Sequence, residues 1–491
     1  MDAVIAFFNI IIDFFNTVIG TLNKIAKFLE PLNSKIIWGL PMVILMIGTG
    51  VFLLVLTKGV IFRKFGVLMK YTAGTIFKRK KPNERGEGTI TPFQAVCTAL
   101  AATVGTGNIV GVALAIATGG PGAVFWLWVS ALVGMVIKYC EVTLSMVYRG
   151  VNNKLEIVGG PMYYISNGIG SKFLAMLFAF FGAMASFGIG ASVQSNSLAS
   201  GLNSAFGIPT YIIGIVVVII AALVIMGGIK RIANVTEILV PVMALFYIGG
   251  ALVVLVLNIK GIPEAFGSIF KSAFTGTAAT GGFLGASVMY AMRIGMARGV
   301  FTHEAGMGSA PIAHASADND HPARQGLWGA FEVFLDSIVM CTITALVILT
   351  SGLWQTGMDE STISLNAFGQ AFTGGEYIVS VGLTLFAFAT AVAWYYYGEK
   401  CVEYLTHENQ IVIRFYQILY IAMIYFGCIS KIDVVWEFAD LFNGLMAIPN
   451  LIALILLAPV IKRLTEDFFS DPHRIRPKDE DYSVFKRGKK K

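Results

Sequence analysis

The stretch TVGTGNIVG, from Thr103 to Gly111, sets three glycines, two threonines and one asparagine inside a long apolar part of the chain. Glycine disfavours a helix by roughly 1 kcal/mol relative to alanine, so these residues predict an interrupted helix. At such a break, the amides that open the following half-helix form a positive end suited to a carboxylate. The carbonyls that close the preceding half-helix suit a cation such as Na⁺. A small α-amino acid, which carries a carboxylate and an ammonium group, fits a site of this kind.

A second stretch of the same pattern, TAATGGFLG, follows at 277–285. In this alignment Thr106 meets Thr280 and Gly107 meets Gly281. The two copies fall in the second and the seventh predicted membrane spans, so they cross the membrane in opposite directions. Two glycine-interrupted spans in corresponding places of two inverted halves are the best sequence indication of a transporter's substrate site.

These two stretches supply the first candidate ligand-binding residues. Their glycines let a small ligand approach the backbone closely. The alternative is tight helix packing, because Gly107 and Gly111 also have the GxxxG spacing of membrane helix contacts. The matched pair of stretches favours the binding site. The candidates are Thr103, Gly105, Thr106, Gly107, Asn108, Thr280, Gly281, Gly282 and Phe283.

Two further polar candidates lie outside the repeat. Asp336 sits in the apolar run AFEVFLDSIVMCTITALV, and an acid inside a span is a candidate for function. Asp336 could bind the ammonium group of a substrate, shape a cation path or carry a proton. The alternative is a structural acid that ties helices together, which is our interpretation of Glu332 one turn earlier. Gln94 and Thr98, one turn apart ahead of the break, are expected to line an inner vestibule.

The elements that must position these residues are membrane spans. The chain is 56% hydrophobic and 13% charged, which is about half the charge of a soluble protein, and many apolar runs reach the roughly 20 residues that cross a bilayer. We therefore predict an all-α polytopic membrane protein, because a β-barrel would show short alternating segments. The eleven predicted spans are 36–57, 91–117, 121–148, 172–199, 209–228, 234–257, 276–300, 325–350, 376–398, 411–428 and 436–461.

The basic residues predict the orientation of these spans. One set of alternate connections, together with the tail, carries 29 Lys and Arg residues, and the opposite set carries six. Because cytoplasmic loops are enriched in Lys and Arg, the C-terminus is predicted to be cytoplasmic and the N-terminus outside. The predicted organisation is an interfacial segment at 1–35, an extra span at 36–57, five-span repeats at 91–257 and 276–461, and a basic tail at 462–491.

Other chemistries find little support in the sequence. The five scattered cysteines are interpreted as small buried hydrophobic residues. GTGNIVG departs from the dinucleotide-binding motif and lies in a bilayer-length helix, and His303 with Glu304 lacks the second histidine of a zinc protease. We predict no enzyme, no cofactor and no nucleic-acid partner. Lys138 and Glu141 are interpreted as a local ion pair, and the stretch 296–326 as an ordered cytoplasmic connection that gates the inner side.

Three stretches together resemble the alanine or glycine:cation symporter family, within the amino acid–polyamine–organocation superfamily. They are TPFQAVCTALAATVGTGNIVGVALAIATGGPGAVFWLWVSALVGM at 91–135, GGPMYYI at 159–165 and ARGVFTHEAGMGSAPIAHA at 297–315. The resemblance implies a leucine-transporter-type fold of five plus five inverted helices, in which the first and sixth core helices are discontinuous. It also implies a sodium site formed by Ala101 and Val104 with Ala387 and Thr390, and a pocket closed by Trp394.

Taken together, these observations predict a symporter in the cell membrane that imports Na⁺ with a small neutral amino acid, alanine or glycine, by alternating access. Two alternatives stay open on the sequence alone. One is coupling to protons, for which Asp336 would be the carrier. The other is an uncoupled channel or facilitator with a continuous pore.

Overall fold

In the computed structural model the described part of the chain is mostly helical, as the sequence predicts. The structure describes residues 31, 33, 37–76, 88–275, 288–319, 321–358, 360–429, 433–473, 476 and 477. The predicted interfacial helix in the first 30 residues, the second interrupted stretch at 277–285 and most of the basic tail lie outside the described residues. The inverted repeat therefore stays a prediction.

The first half of the chain begins with the helix Leu40–Leu56 and two short helices that follow it on its predicted cytoplasmic side, Val60–Arg63 and Phe65–Tyr71. An interrupted helix follows, and then a series of long apolar helices. These are Pro92–Thr103, Val110–Gly119, Gly122–Val147, Lys172–Ala185 continuing as Val193–Phe206, Thr210–Ile225 and Gly228–Leu257. The strands Gly150–Val151 and Ile157–Val158 form a small antiparallel hairpin, and the short helix Pro161–Tyr164 comes next.

The second half of the chain is also helical. Its helices are Ile262–Thr275, Val288–His303, Ala310–His314, Pro322–Val333 continuing as Thr342–Ser351, Glu360–Ala371, Gly375–Leu405, Gln410–Ile429, Asp433–Leu456 and Ala458–Ser470. The helix Val288–His303 extends three residues beyond the predicted end of its span at 300. His303 is therefore the last residue of this helix, and its side chain is buried.

Within the described residues, seven helices are long and apolar enough to cross a membrane, and the interrupted pair makes eight. Two shorter apolar helices, Pro41–Leu56 and Thr210–Ile225, match two more predicted spans. The described part of the remaining span, 276–300, is the helix Val288–His303. Each predicted span thus coincides with a helix, and the number eleven stays a prediction.

The helix Gly375–Leu405 lies at the centre of the fold. It packs against the first half of the interrupted helix, Pro92–Thr103, and against Val193–Phe206, Gly228–Leu257 and Gln410–Ile429. Its segment from Phe386 to Tyr397 is almost completely buried, whereas outer helices such as Thr210–Ile225 expose large apolar side chains. An apolar surface of this kind faces lipid in a membrane protein, so Gly375–Leu405 is an interior helix.

Two long helices contain π-helical segments near the centre of the protein. They are Ser186–Ser192, between Lys172–Ala185 and Val193–Phe206, and Phe334–Cys341, between Pro322–Val333 and Thr342–Ser351. A π-helical segment inside an α-helix commonly marks a functional site. The second segment contains Asp336, so the candidate acid lies where the regular helix is widened.

Candidate functional site

The predicted break is present and has a defined geometry. The first half-helix, Pro92–Thr103, ends at Val104, and the second half-helix, Val110–Gly119, begins after a 3₁₀ turn at Thr106–Asn108. The two halves are bent by 61° relative to each other. At the other end of the first half-helix, Thr91 accepts a hydrogen bond from the amide of Gln94 at 3.1 Å. The sequence therefore starts this helix with a cap and ends it with glycine.

Asn108 holds the break in place. Its Oδ1 accepts a hydrogen bond from the amide of Gly105 at 3.0 Å, and its Nδ2 donates to Asp336 Oδ1 at 2.7 Å and to the Asp336 carbonyl at 3.1 Å. Asp336 Oδ2 accepts from the hydroxyl of Ser337 at 2.7 Å. Both carboxylate oxygens of Asp336 thus accept hydrogen bonds from protein groups. Through its bond to Asn108, Asp336 stabilises the break.

The four residues of the implied sodium site lie in two buried segments that meet at the break. Thr390 Oγ1 donates to the carbonyl of Ala101 at 2.8 Å and to the carbonyl of Phe386 at 3.0 Å. Val104 is the residue at which the first half-helix ends, and Ala387 is buried one turn before Thr390. The contact between Thr390 and Ala101 brings the hydroxyl of one segment to the free carbonyl end of the other. Carbonyl and hydroxyl oxygens are the ligands that suit a hard cation.

Gln194 is a polar residue of this region that is not among the candidates from the sequence. Its side chain is 3% exposed, and its Oε1 has no hydrogen-bond partner among the described residues. A Cβ built on Gly105 would lie 2.9 Å from Thr390 Oγ1 and 3.5 Å from Gln194 Oε1. The run SVQSNS around Gln194 places several polar residues inside a predicted span, and such residues face the protein interior or a water-filled cavity. That signal could have identified it.

A cavity of about 520 Å³ lies beside the break on its predicted outer side. One wall is the break with the second half-helix, and the opposite wall is a stripe of small polar residues on Val193–Phe206. The polar and small residues that line it include Thr106, Gly107, Asn196, Ser197, Ser200 and Arg298. This cavity extends from the break toward the predicted outer ends of the surrounding helices, and its volume is sufficient for a small amino acid.

The remaining residues of the first stretch lie at the break. Thr103 is buried, and its hydroxyl donates to the carbonyl of Ala99 at 3.3 Å. A Cβ on Gly107 would lie 2.9 Å from Thr302 Cγ2 and 3.4 Å from Phe301 Cδ1. The helix Val288–His303 therefore packs directly on the backbone of the break. Thr280, Gly281, Gly282 and Phe283 lie outside the described residues.

Two other predicted residues have contacts away from the break. Gln94 Nε2 donates to Asn234 Oδ1 at 3.0 Å and to Glu237 Oε2 at 2.9 Å, so Gln94 joins the start of the first half-helix to a neighbouring helix.

Trp394 Nε1 donates to Glu304 Oε1 at 3.1 Å. The indole of Trp394 is thus directed to the segment after Val288–His303, and its ring also contacts Tyr397.

The partner of Lys138 differs from the local pair that its sequence spacing suggests. Lys138 Nζ lies 3.3 Å from Glu332 Oε1, and Glu332 Oε2 lies 3.1 Å from His314 Nε2. Glu141 instead accepts a hydrogen bond from the amide of Gly306 at 2.9 Å. The difference arises because these side chains are buried between helices, where partners on neighbouring helices satisfy them. The interpretation of Glu332 as structural agrees with these contacts.

The described residues contain no group of three or more His, Cys, Asp or Glu side chains that could hold a metal ion. All five cysteines are free and buried, in agreement with their interpretation as small hydrophobic residues. A cation at the break would therefore depend on backbone carbonyls, hydroxyl groups and the Gln194 amide oxygen, which suits an alkali cation better than a transition metal.

The chain is similar to known transporters over most of its length. The model of the sodium:alanine symporter family matches residues 22–482. The sodium/alanine symporter AgcS of Methanococcus maripaludis is 45% identical over 446 residues, which cover 89% of this chain and 95% of AgcS. The Bacillus subtilis protein named "Probable sodium/glutamine symporter GlnT" is 37% identical over 452 residues, which cover 91% of this chain and 91% of GlnT.

A solved structure has the same fold at much lower sequence identity. The crystal structure of MhsT in complex with L-phenylalanine matches with a TM-score of 0.52 and 14% identity, and the match covers 77% of this chain and 99% of MhsT. This similarity confirms the predicted leucine-transporter-type fold.

Proposed function

Because the chain belongs to the sodium:alanine symporter family, and is therefore a cation-coupled amino-acid symporter, we propose that it imports alanine or glycine together with Na⁺. The proposed cycle is alternating access, in which the site faces each side of the membrane in turn. The protein is a multi-pass membrane transporter. We further propose that it lies in the cell membrane with its N-terminus outside and its C-terminus in the cytoplasm.

The observation that carries the proposal is the meeting of Thr390 with the end of the first half-helix. A Cβ on Gly105 would lie 2.9 Å from the Thr390 hydroxyl oxygen and 3.5 Å from the unpaired Gln194 Oε1, and the Thr390 hydroxyl group donates to the Ala101 carbonyl. An unpaired buried amide oxygen costs about 1–3 kcal/mol, and a bound Na⁺ or a substrate ammonium group would remove that cost. This supports a cation site at the carbonyl end of the break, with Ala101, Val104, Ala387 and Thr390 as its residues.

The proposed substrate position is the other side of the same break. The second half-helix, Val110–Gly119, directs the amides of its first turn to the break, and these amides favour a carboxylate. Packing of Thr302 and Phe301 close to Gly107 leaves little room for a long side chain at this point. A small side chain such as a hydrogen or a methyl group fits this arrangement best, which supports glycine or alanine as substrates.

Uptake by purified protein in liposomes tests the proposal. With Na⁺ outside and K⁺ inside, labelled alanine should accumulate above its outside concentration, and replacing Na⁺ by choline should abolish the accumulation. Unlabelled glycine, alanine, D-alanine and glutamine are then added as competitors, with glutamine included because of the relative GlnT. Competition by glycine and alanine but not glutamine supports the small-substrate proposal.

The alternatives give different results in the same liposomes. Accumulation driven by a pH gradient without Na⁺, and abolished by a protonophore, would replace sodium coupling by proton coupling. Equilibration without accumulation under either gradient would indicate an uncoupled channel or facilitator and contradict symport.

A further inference from the structure

The segment from Glu304 to Ser309, which we call the inner turn, is buried beneath the break on the predicted cytoplasmic side. It joins the helices Val288–His303 and Ala310–His314. Glu304 is 2% exposed and has a φ of 51°, in the left-handed region. A non-glycine residue adopts this conformation only where its surroundings enforce it, and such strain clusters at functional and switch regions. The contacts of Glu304 therefore determine the shape of the inner turn.

The carboxyl group of Glu304 links two elements. Its Oε1 accepts a hydrogen bond from Trp394 Nε1 at 3.1 Å, and its Oε2 is hydrogen-bonded to the hydroxyl of Ser309. Trp394 lies one helical turn beyond Thr390, the residue that contacts the end of the first half-helix. Glu304 thus connects the helix of the proposed cation site with both ends of the inner turn.

The rest of the inner turn is fixed by two further helices. The amide of Gly306 donates to Glu141 Oε1 at 2.9 Å, and Asn450 Nδ2 donates to the carbonyl of Gly306 at 2.8 Å and also to Glu141. Since each of these groups is fully or almost fully buried, water reaches the inner turn only after these hydrogen bonds open.

Charged and titratable groups on several neighbouring elements lie near Glu304. Lys138 and Glu141 belong to Gly122–Val147, Glu332 to Pro322–Val333 and Tyr397 to Gly375–Leu405, and His303 precedes Glu304 in the chain. Asn450 on Asp433–Leu456 adds an uncharged amide. Burial raises the pKa of Glu304 to about 8, and the charge of Lys138 opposes this shift. In water the pKa of a glutamate is about 4.3, so the buried carboxyl group retains a proton that a hydrated one releases.

We propose that Glu304 is the latch of the inner gate, and that release of its hydrogen bonds to Trp394 and Ser309 opens the path from the break to the cytoplasm. The proposal rests on the proposed function, since it assigns the inner turn to one step of alternating access. In the closed state Glu304 carries a proton, its Oε2 is hydrogen-bonded to the hydroxyl group of Ser309, and its Oε1 accepts a hydrogen bond from Trp394 Nε1. In the open state the carboxylate is hydrated, and the proton has passed to cytoplasmic water. Glu304 is a positioning residue, because it acts through Trp394 and the turn rather than by touching the substrate.

The sign of the pH dependence follows from linkage. Between about pH 4.3 and 8 the closed state binds one proton more than the open state. Lowering the pH in this window therefore stabilises the closed latch, and raising it favours the open gate. The closed-to-open ratio changes by at most about tenfold per pH unit for one proton.

Hydrogen exchange of the full-length protein in nanodiscs tests the latch without a transport assay. The amides of Glu304, Ala305, Gly306 and Met307 donate hydrogen bonds within the closed structure, so their protection reports closure. Protection is expressed relative to the unfolded chain at each pH. We expect protection of residues 304–309 to fall as the pH rises from 5.5 to 7.5. Glu304→Gln should keep high protection at both pH values, because its amide group can form hydrogen bonds with Trp394 and Ser309 and does not titrate in this range.

The variant Trp394→Phe removes one hydrogen bond of the latch and keeps an aromatic ring. We expect it to lower the protection of residues 304–309 about fivefold or more, which corresponds to the 1 kcal/mol of a typical hydrogen bond. The matched control is Trp128→Phe, which removes the hydrogen bond from Trp128 Nε1 to Thr342 at 2.7 Å in another part of the fold and should leave the inner turn unchanged.

Three results would overturn the latch: equal protection of the wild-type turn at both pH values, a Glu304→Gln variant that keeps the wild-type pH dependence, or loss of protection in Trp394→Phe that spreads evenly over all helices. None of these measurements depends on sodium or alanine. If hydrogen exchange gave the results expected for the latch but liposomes showed no sodium-driven uptake, the proposed function would be contradicted and the latch would not.

Discussion

Thr390 Oγ1 lies 2.8 Å from the carbonyl oxygen of Ala101, and the two residues are 289 positions apart in the chain. This contact joins the centre of the helix Gly375–Leu405 to the last turn of the first half-helix. It brings together two segments of the proposed sodium site that belong to different halves of the chain. The strength of sodium binding should therefore depend on the hydroxyl group of Thr390.

We expect Thr390→Ala to raise the Na⁺ concentration for half-maximal alanine uptake by roughly five- to a hundredfold, which corresponds to about 1–3 kcal/mol. The alanine concentration for half-maximal uptake at saturating Na⁺ should change little. Thr390→Ser retains the hydroxyl and is the control. Sodium dependence identical to that of the wild type in Thr390→Ala would remove Thr390 from the site.

A larger side chain at position 107 in place of Gly107 should abolish transport, while the protein should still fold. A Cβ at this position would lie 2.9 Å from Thr302 Cγ2, so Gly107→Val pushes Val288–His303 away from the break. Gly111→Ala is the matched control, since nothing lies within 4 Å of the Cβ that it adds. Uptake is compared at equal amounts of purified protein in liposomes. Normal alanine uptake by Gly107→Val would make Gly107 a packing residue of no importance for the site.

The variant Asp336→Asn separates sodium coupling from proton coupling. Asparagine can still accept from Asn108 Nδ2 and can donate to the hydroxyl of Ser337, so it preserves the two side-chain contacts of Asp336 without a titratable proton. Under sodium coupling we expect sodium-dependent uptake at a level within about threefold of the wild type. Asp336→Ala, which removes both contacts, should lose most of the uptake. If a pH gradient without Na⁺ drove uptake by the wild type and Asp336→Asn abolished that uptake, Asp336 would be a proton carrier.

Glu332 should be important for stability rather than for transport specificity. It pairs with Lys138 at 3.3 Å and with His314 at 3.1 Å, and all three side chains are fully buried. Glu332→Ala leaves the Lys138 ammonium group buried without its partner, at a cost of about 3–5 kcal/mol. The double variant Lys138→Met with Glu332→Leu replaces both charges and should recover most of this loss. Thermal unfolding in detergent measures these stabilities, and the double variant should melt at a higher temperature than Glu332→Ala. Equal melting temperatures of the two variants would contradict the prediction.

The sequence by itself determined the class of the protein, its helices and the place of the break. The apolar runs are long enough to require membrane helices, because an unpaired backbone group in lipid costs several kcal/mol. The glycines of TVGTGNIVG are incompatible with a regular helix at one point, and the structure breaks the helix there. These features are local, so composition and spacing suffice to predict them.

The tertiary structure alone decided which side chains meet. Spacing along one helix suggests Lys138 with Glu141, but folding pairs Lys138 with Glu332. It also brings Gln194 to Gly105 and turns the indole of Trp394 to Glu304. Such contacts depend on how helices distant in the chain are rotated and packed. A buried polar group takes whichever partner that packing provides, because leaving it unpaired costs more than forming a distant contact.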